Sequence, residues 1–158
     1  MPNEITMEKA QLKEFVKSLC SNAEVSEGKQ FIEAVLPADD LHSVAERLKS
    51  DPETAFDFLF CLSGVDYGID LGIVYHLRST KLGHTIVLKT RFSDRDNAVA
   101  DSVCDIWPAA EYHEREVYDL LGIKFRNHPD LRRFFLPSSA GFPLRKDFVD
   151  DENIVVKK

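Results

Sequence analysis

Cysteine is scarce, and its scarcity excludes chemistry. Cys20, Cys61 and Cys104 are an odd set at wide spacing, with no CxxC pair. A cysteine-held iron–sulfur cluster needs about four thiolates, so these three supply neither a cluster nor a disulfide framework. They read as reduced thiols, with Cys61 and Cys104 near the core. Long apolar runs are missing too. The longest charge-free apolar stretch, Phe58 to Val65, is far short of the roughly 18 residues that a membrane helix requires. The first residues, Met1-Pro2-Asn3-Glu4-Ile5, hold no basic region followed by an apolar one, and acidic residues in the first turns argue against a mitochondrial presequence. The expectation is a soluble, cytosolic chain that meets a membrane only through a partner. Positive charge is in deficit, with 20 Lys and Arg against 27 Asp and Glu, a net charge of −7. That balance argues against nucleic acid, whose phosphates select a basic face.

Catalytic signatures are also absent. There is no Walker A sequence, no GxGxxG and no GxSxG elbow. Gly64, Gly68 and Gly72 recur every fourth residue, but between expected strands rather than between a strand and a helix. Asp66 and Tyr67 within that run read as an Asx-type turn with a packed Tyr rather than as a small site. His113-Glu114 begins like a zinc HExxH motif, yet the second histidine position is Val117. His42, His76, His84 and His128 are scattered over different elements. No metal or cofactor site is expected in this chain.

What is present is the composition of one soluble domain with a tail: 158 residues, 44% hydrophobic and 30% charged. Leu12, Phe15, Val16 and Leu19 form the apolar stripe of a helix over 8–19, with Thr6 as its N-cap. Residues 21–29 are polar, with a turn at Gly28. Gln30 to Leu36 alternates as a strand. Leu41, Val44, Ala45 and Leu48 mark a helix over 39–50. A short helical turn from about 53 leads into a buried strand through Leu62, with Phe56, Phe58, Phe60 and Leu62 on one side at period two. Leu71 to Arg78 and His84 to Phe92 flank a five-residue Gly-containing loop and predict a hairpin, with the facing of the second strand left open. Asp94-Arg95-Asp96 opens a short helix over about 95–104, with Ala98, Val99 and Val103 inward. The fold class that follows is α+β: a mixed four-stranded sheet packed with helices, then an extended C-terminal tail. The division is residues 1–123 for the domain and 124–158 for a partner-binding tail.

The most informative stretch is 107–148. Pro108 suits a first helical turn, Ala110, Val117, Leu120 and Leu121 recur at helical spacing, and Gly122 stops the helix. Glu111–Arg115 and Arg115–Asp119 are i,i+4 pairs. Glu114 shares the apolar side with Val117 and Leu121, and the expectation is a carboxylate half-solvated or paired with an arginine. A structural ion-pair network is favoured over an acid–base site in this cluster. Residues 124–146 then carry Lys124, Arg126, Arg132, Arg133, Arg145 and Lys146 against Asp130 alone, a local +6 − 1 = +5. Prolines and phenylalanines interleave with these cations, as at the anchors of protein interfaces. Folding back on the domain itself is the equal alternative.

The runs Glu114-Arg115-Glu116-Val117-Tyr118-Asp119-Leu120-Leu121-Gly122-Ile123, His128-Pro129-Asp130-Leu131-Arg132-Arg133 and Gly141-Phe142-Pro143-Leu144-Arg145-Lys146-Asp147-Phe148 resemble the signature of one family. It is the C-type subunit family of respiratory NADH–quinone oxidoreductase (complex I), the 30 kDa subunit of mitochondria. Gly64-Val65-Asp66-Tyr67 is similar to that family as well, and the first 30 residues are not. The resemblance implies a non-catalytic peripheral-arm subunit on the cytoplasmic side of the bacterial inner membrane. It would dock on the hydrogenase-like large subunit, the D-type one, and on cluster-bearing neighbours near the quinone module. The chain would bind no cofactor, while the parent complex holds iron–sulfur clusters, quinone, FMN and NADH. Arg132, Arg133, Arg145 and Lys146 would then meet partner carboxylates or carbonyls. Phe134, Phe135, Phe142 and Phe148 would fill partner pockets. Glu114, Arg115, Glu116 and Asp119 would orient the tail's root, and His128, Pro129, Asp130, Leu131, Pro143, Leu144 and Asp147 would complete the contact. A related membrane-bound hydrogenase or ferredoxin-linked complex is the near alternative. A small stand-alone hydrolase using Glu114 and Glu116 is the distant one.

Overall fold

The computed structural model describes residues 7–150. Thr6, expected as a helix cap, and the tail from residue 151 lie outside them. The first helix, α1 (Lys9–Leu19), is capped instead at Glu8, whose backbone N–H donates to Gln11 Oε1 at 3.1 Å. Leu12 and Val16 are its buried residues. A strand follows where only polar loop was expected: β1 (Glu24–Glu27) pairs antiparallel with β2 (Ile32–Val35). Its sequence, EVSE, has a single apolar residue and lies at the sheet edge, so no inward-facing period marks it. α2 (Ala38–Ser50) buries Leu41, Val44, Ala45 and Leu48 as the spacing predicts.

β3 (Phe58–Asp66) is longer than expected and faces differently. A register shift between Leu59 and Cys61 inserts an extra residue. Leu59 and Leu62 therefore both enter the core, while Phe58 and Phe60 stand 47% and 39% exposed on the outside. The uninterrupted period-two reading of Phe56, Phe58, Phe60 and Leu62 fails at this bulge. β4 (Leu71–Arg78) and β5 (Thr85–Phe92) form the expected hairpin, with Ile86, Leu88 and Thr90 facing the core. The helix expected over 95–104 is not formed. The Asp94 carboxylate accepts from the backbone N–H groups of Asp96 and Asn97, closing a turn, and the chain then runs extended as β6 (Val99–Asp101).

α3 (Ala110–Leu121) ends at Gly122, whose φ of 75° is the left-handed cap. The fold runs on past residue 123: β7 (Lys124–Arg126) pairs in parallel with β6 and buries Phe125. Among the described residues the main sheet has five strands in the order β1-β2-β5-β4-β3, rather than four. Within it only β2 and β5 pair in parallel, so the class is the expected mixed α+β. The helices cover one face, with α3 against β3, α2 against β5 and β6, and α1 against β1 and β2. α3 approaches β3 closely because position 64 is glycine: a Cβ there would sit 2.4 Å from Leu121 Cδ1.

Candidate functional site

The C-terminal end of α3 is the meeting point of the sequence-predicted residues. A helix leaves its last carbonyls unpaired and its C-terminus partially negative. α3 has no basic residue in its last turn, and the tail supplies the cations. Arg133 donates to the Asp119 carbonyl at 2.9 Å, the Leu144 N–H donates to the Leu120 carbonyl at 3.1 Å, and Arg145 Nε donates to the Leu121 carbonyl at 2.6 Å. The Gly122 N–H donates to the Tyr118 carbonyl at 2.9 Å. Phe142 lies between the two arginines, each guanidinium 5.0 Å from its ring centre. It presses on Gly122, where a Cβ would lie 2.7 Å from the ring.

The Asp119 side chain is fully buried, with its Oδ1 3.2 Å from Arg133 Nε. Its Oδ2 accepts from the backbone N–H groups of Phe135 at 2.8 Å and Leu136 at 3.2 Å. Arg115, also buried, donates to the Arg133 carbonyl and lies over the Phe134 ring. A second anchor fastens the end of the tail. Asp66 accepts from Arg95 at 2.7 and 2.8 Å, from Gly68 N–H at 2.7 Å and from Lys146 N–H at 2.8 Å. The Arg95 guanidinium holds the Asp66 carboxyl well below the usual carboxylate range, against the opposing effect of burial. Arg95 also pairs with Asp147 at 3.1 Å. The Gly68 bond is the expected Asx turn, and Tyr67 packs beneath Arg91.

Glu114 departs from its expected half-solvated or arginine-paired state. It is wholly buried, and its hydrogen-bond donors are neutral: Ser102 Oγ at 2.6 Å, Val103 N–H at 2.8 Å and Cys104 Sγ at 3.2 Å. It thus ties α3 to the turn after β6. Burial pushes its pKa up despite those bonds, and pushes the Cys104 thiol up to about 12. The Tyr75 hydroxyl is raised well above its ordinary value by burial and by the Glu114 charge.

Cys104, Glu114 and His128 bring one potential ligand atom each within 4.8 Å of one another. The hydrogen bonds spend those atoms otherwise. Asp130 N–H donates to His128 Nδ1 at 3.0 Å, so Nε2 carries the ring proton and donates to the Glu111 carbonyl at 3.0 Å. A metal would have to displace that proton and the Cys104 thiol proton that Glu114 accepts. Glu116, two residues on, is exposed on another side of α3, so Glu114 and Glu116 do not form a pair of catalytic carboxylates.

The remaining predicted residues lie outward. Asp130 and Arg132 pair with each other at the surface, Pro129 is exposed, and Leu131 and Pro143 are half-buried. Phe135 is 67% exposed and packs at a tilt against Phe134, while Leu144, Phe148 and Lys146 are exposed along the far side of the strap. The expected surplus of positive charge is mostly spent internally. Among the described residues, Arg126, Arg132, Arg133 and Arg145 hold ion pairs, and only Lys124 and Lys146 of the six hold none. Sequence reasoning missed Ser102, Cys104 and Arg95 as partners. The placement of Glu114 on an apolar helix face was the one signal for the first two, and Arg95 carried none.

Fold and site together define a small α+β domain whose C-terminal strap is folded over one helix end, with Phe142 turned in against it and Phe135, Leu144, Phe148 and Val149 left outside. The model of the respiratory-chain NADH dehydrogenase 30 Kd subunit family matches residues 34–153, and the chain belongs to that family. It is 40% identical over 136 residues to the C-type subunit of NADH-quinone oxidoreductase from Moorella thermoacetica, a match covering 84% of this chain and 90% of that one. It is 47% identical over 120 residues to the combined C/D-type subunit of NADH-quinone oxidoreductase from Phocaeicola vulgatus, covering 75% of this chain but only 23% of that longer one. Among solved structures, one from the membrane-bound sulfane sulfur reductase, an archaeal respiratory membrane complex, matches with a TM-score of 0.75 and 28% identity, over 90% of this chain and 86% of that one. No helix among the described residues is long and apolar enough to cross a membrane.

Proposed function

We propose that this chain is a peripheral-arm subunit of a proton-pumping NADH–quinone oxidoreductase. It docks on the hydrogenase-like large subunit, the D-type one, through the outer side of its C-terminal strap. It meets the cytoplasmic side of the inner membrane only through its partners. Iron–sulfur clusters, quinone, FMN and NADH belong to other subunits of that complex. The observation that carries this reading is the division of labour in the strap. Arg133 and Arg145 are consumed in pinning it to α3, and Phe135, Leu144, Phe148 and Val149 are left facing outward beside Lys146. Exposed aromatic and aliphatic groups on a rigid base are the anchors of protein interfaces. The Phocaeicola relative carries C-type and D-type names on one chain, which favours the D-type subunit as the neighbour.

The likeness to a chain of the sulfane sulfur reductase complex favours a second reading, in which the same docking role serves a related membrane complex with a different electron donor. One experiment separates them. The tagged chain is captured from gently solubilised host membranes and the co-purifying proteins are identified by mass. A hydrogenase-like large subunit with flavin- and NADH-binding subunits supports the first reading. The large subunit without them supports the second, and a chain that elutes alone refutes both.

A further inference from the structure

β3 is an edge strand: it pairs with β4 on one side and with nothing among the described residues on the other. Such edges are ordinarily blunted by lysine, proline or inward charge, because their free N–H and C=O groups template another strand. From Phe58 to Val65 this one has no lysine, proline or charge; a bulge interrupts it at Leu59–Cys61, its register is regular from Cys61 to Asp66, and it presents two exposed phenylalanines. Beside it runs a cleft of about 160 Å³, lined by the buried Leu62 and Val117, by Leu120 and Glu116, and by the exposed Leu144 of the strap. Glu116 is exposed, and no ion pair engages it among the described residues.

An edge strand beside a helix, with an apolar cleft between them, is the geometry that accepts an added strand. Backbone bonds give affinity, and alternate side chains enter the cleft to give specificity. We infer that the free edge of β3 receives an extended segment of a partner protein, which pairs by its backbone, seats an apolar side chain between Leu62 and Leu120, and sets a lysine or arginine against Glu116. Charge decides against a second copy as the occupant. Two-fold pairing of β3 with β3 would bring both Glu116 carboxylates to one seam, on chains that each carry −7. Leu144 belongs to the cleft and to the outer side of the strap alike, so this surface continues the docking face proposed above. The inference rests on that reading.

Hydrogen–deuterium exchange of the chain, alone and within the complex captured from host membranes, tests it. About half the amides of β3 point to the free edge, and these are expected to slow by ~100-fold or more on assembly. Phe60→Lys puts a gatekeeper charge on the exposed edge. It should keep the circular dichroism of the isolated chain while cutting the co-purifying large subunit at least ten-fold. A complex that assembles with β3 exchanging as in the isolated chain, or with full yield from Phe60→Lys, overturns the inference and leaves the assembly reading standing. A chain that captures nothing overturns both.

Discussion

Replacing Arg133 by alanine tests whether the strap is part of the fold. In the native state its guanidinium donates to the carbonyls of Asp119, Pro137 and Gly141 and pairs with the Asp119 carboxylate at 3.2 Å. Asp119 is 0% exposed. The three bonds contribute roughly 0.5–1.5 kcal/mol each. The carboxylate left behind keeps its two backbone donors, at Phe135 and Leu136, only while the strap stays docked. Removing one member of a buried ion pair costs about 3–5 kcal/mol, and that figure applies because the side chain of Arg133 is itself only 14% exposed. The assay is urea denaturation followed by Trp107 fluorescence and by circular dichroism. The midpoint should fall by about 2 M for a slope near 2 kcal/mol per M. Asp119→Ala combined with Arg133→Ala should cost measurably less than the sum of the two singles, because each deletes the other's partner. A change below about 0.5 kcal/mol for Arg133→Ala would mean that this pair does not hold the strap to the domain. Arg133 would then be idle in the isolated chain and reserved for a partner.

Other outcomes follow from the same geometry. Gly64→Ala drives a methyl into Leu121 and should destabilise by about 1–3 kcal/mol, read as a lowered melting temperature. Glu114 has a raised pKa, so its contribution is full below its ordinary value and is lost as pH climbs through the raised one. Glu114→Gln should flatten that decline, which begins above the ordinary carboxylate value, in the stability–pH curve. Asp66 is the opposite case: its pKa is depressed, its contribution is present above the ordinary carboxylate value, and it is lost as pH falls through the lower one. Asp66→Asn should remove that acid-side slope. Cys104, with its thiol pushed up to about 12, should resist alkylation at pH 8 in the native protein and react on unfolding, as counted by mass spectrometry. Truncation after residue 123 removes β7, Phe125 and the two arginines that cap α3, Arg133 and Arg145, and the remaining chain should lose its cooperative unfolding transition.

The long periodic elements were legible. The stripes of α1, α2 and α3, the β4–β5 hairpin and the stop at Gly122 all follow from spacing, since each buries one face over two turns or more. The short elements were not. β1, β6 and β7 are three or four residues long and give no local period, and β6 and β7 hold their places by pairing across a long stretch of sequence. The bulge in β3 was invisible because apolar residues occupy every position around it and give no sign of which ones turn inward. At the site, Glu114 announced itself by lying on an apolar face, but its neutral partners did not. The arginine caps of α3 come from 14 and 24 residues downstream, beyond the reach of any i,i+4 rule. The basic surplus of 124–146 left open whether its cations reach another molecule or fold back on the domain, and the helix's own carbonyls claim Arg133 and Arg145.

That separation sets a timetable during synthesis. The Leu121 carbonyl leaves the ribosome 24 residues ahead of the arginine that covers it. At roughly 5–20 residues per second, the interval is about one to five seconds. Throughout it the nascent helix has an open end, and for the first 14 residues past Asp119 that buried carboxylate is bare as well. Whatever shelters the newborn chain must hold it until Arg145 emerges, so a premature stop anywhere in the strap yields a product for the proteases rather than a shortened subunit.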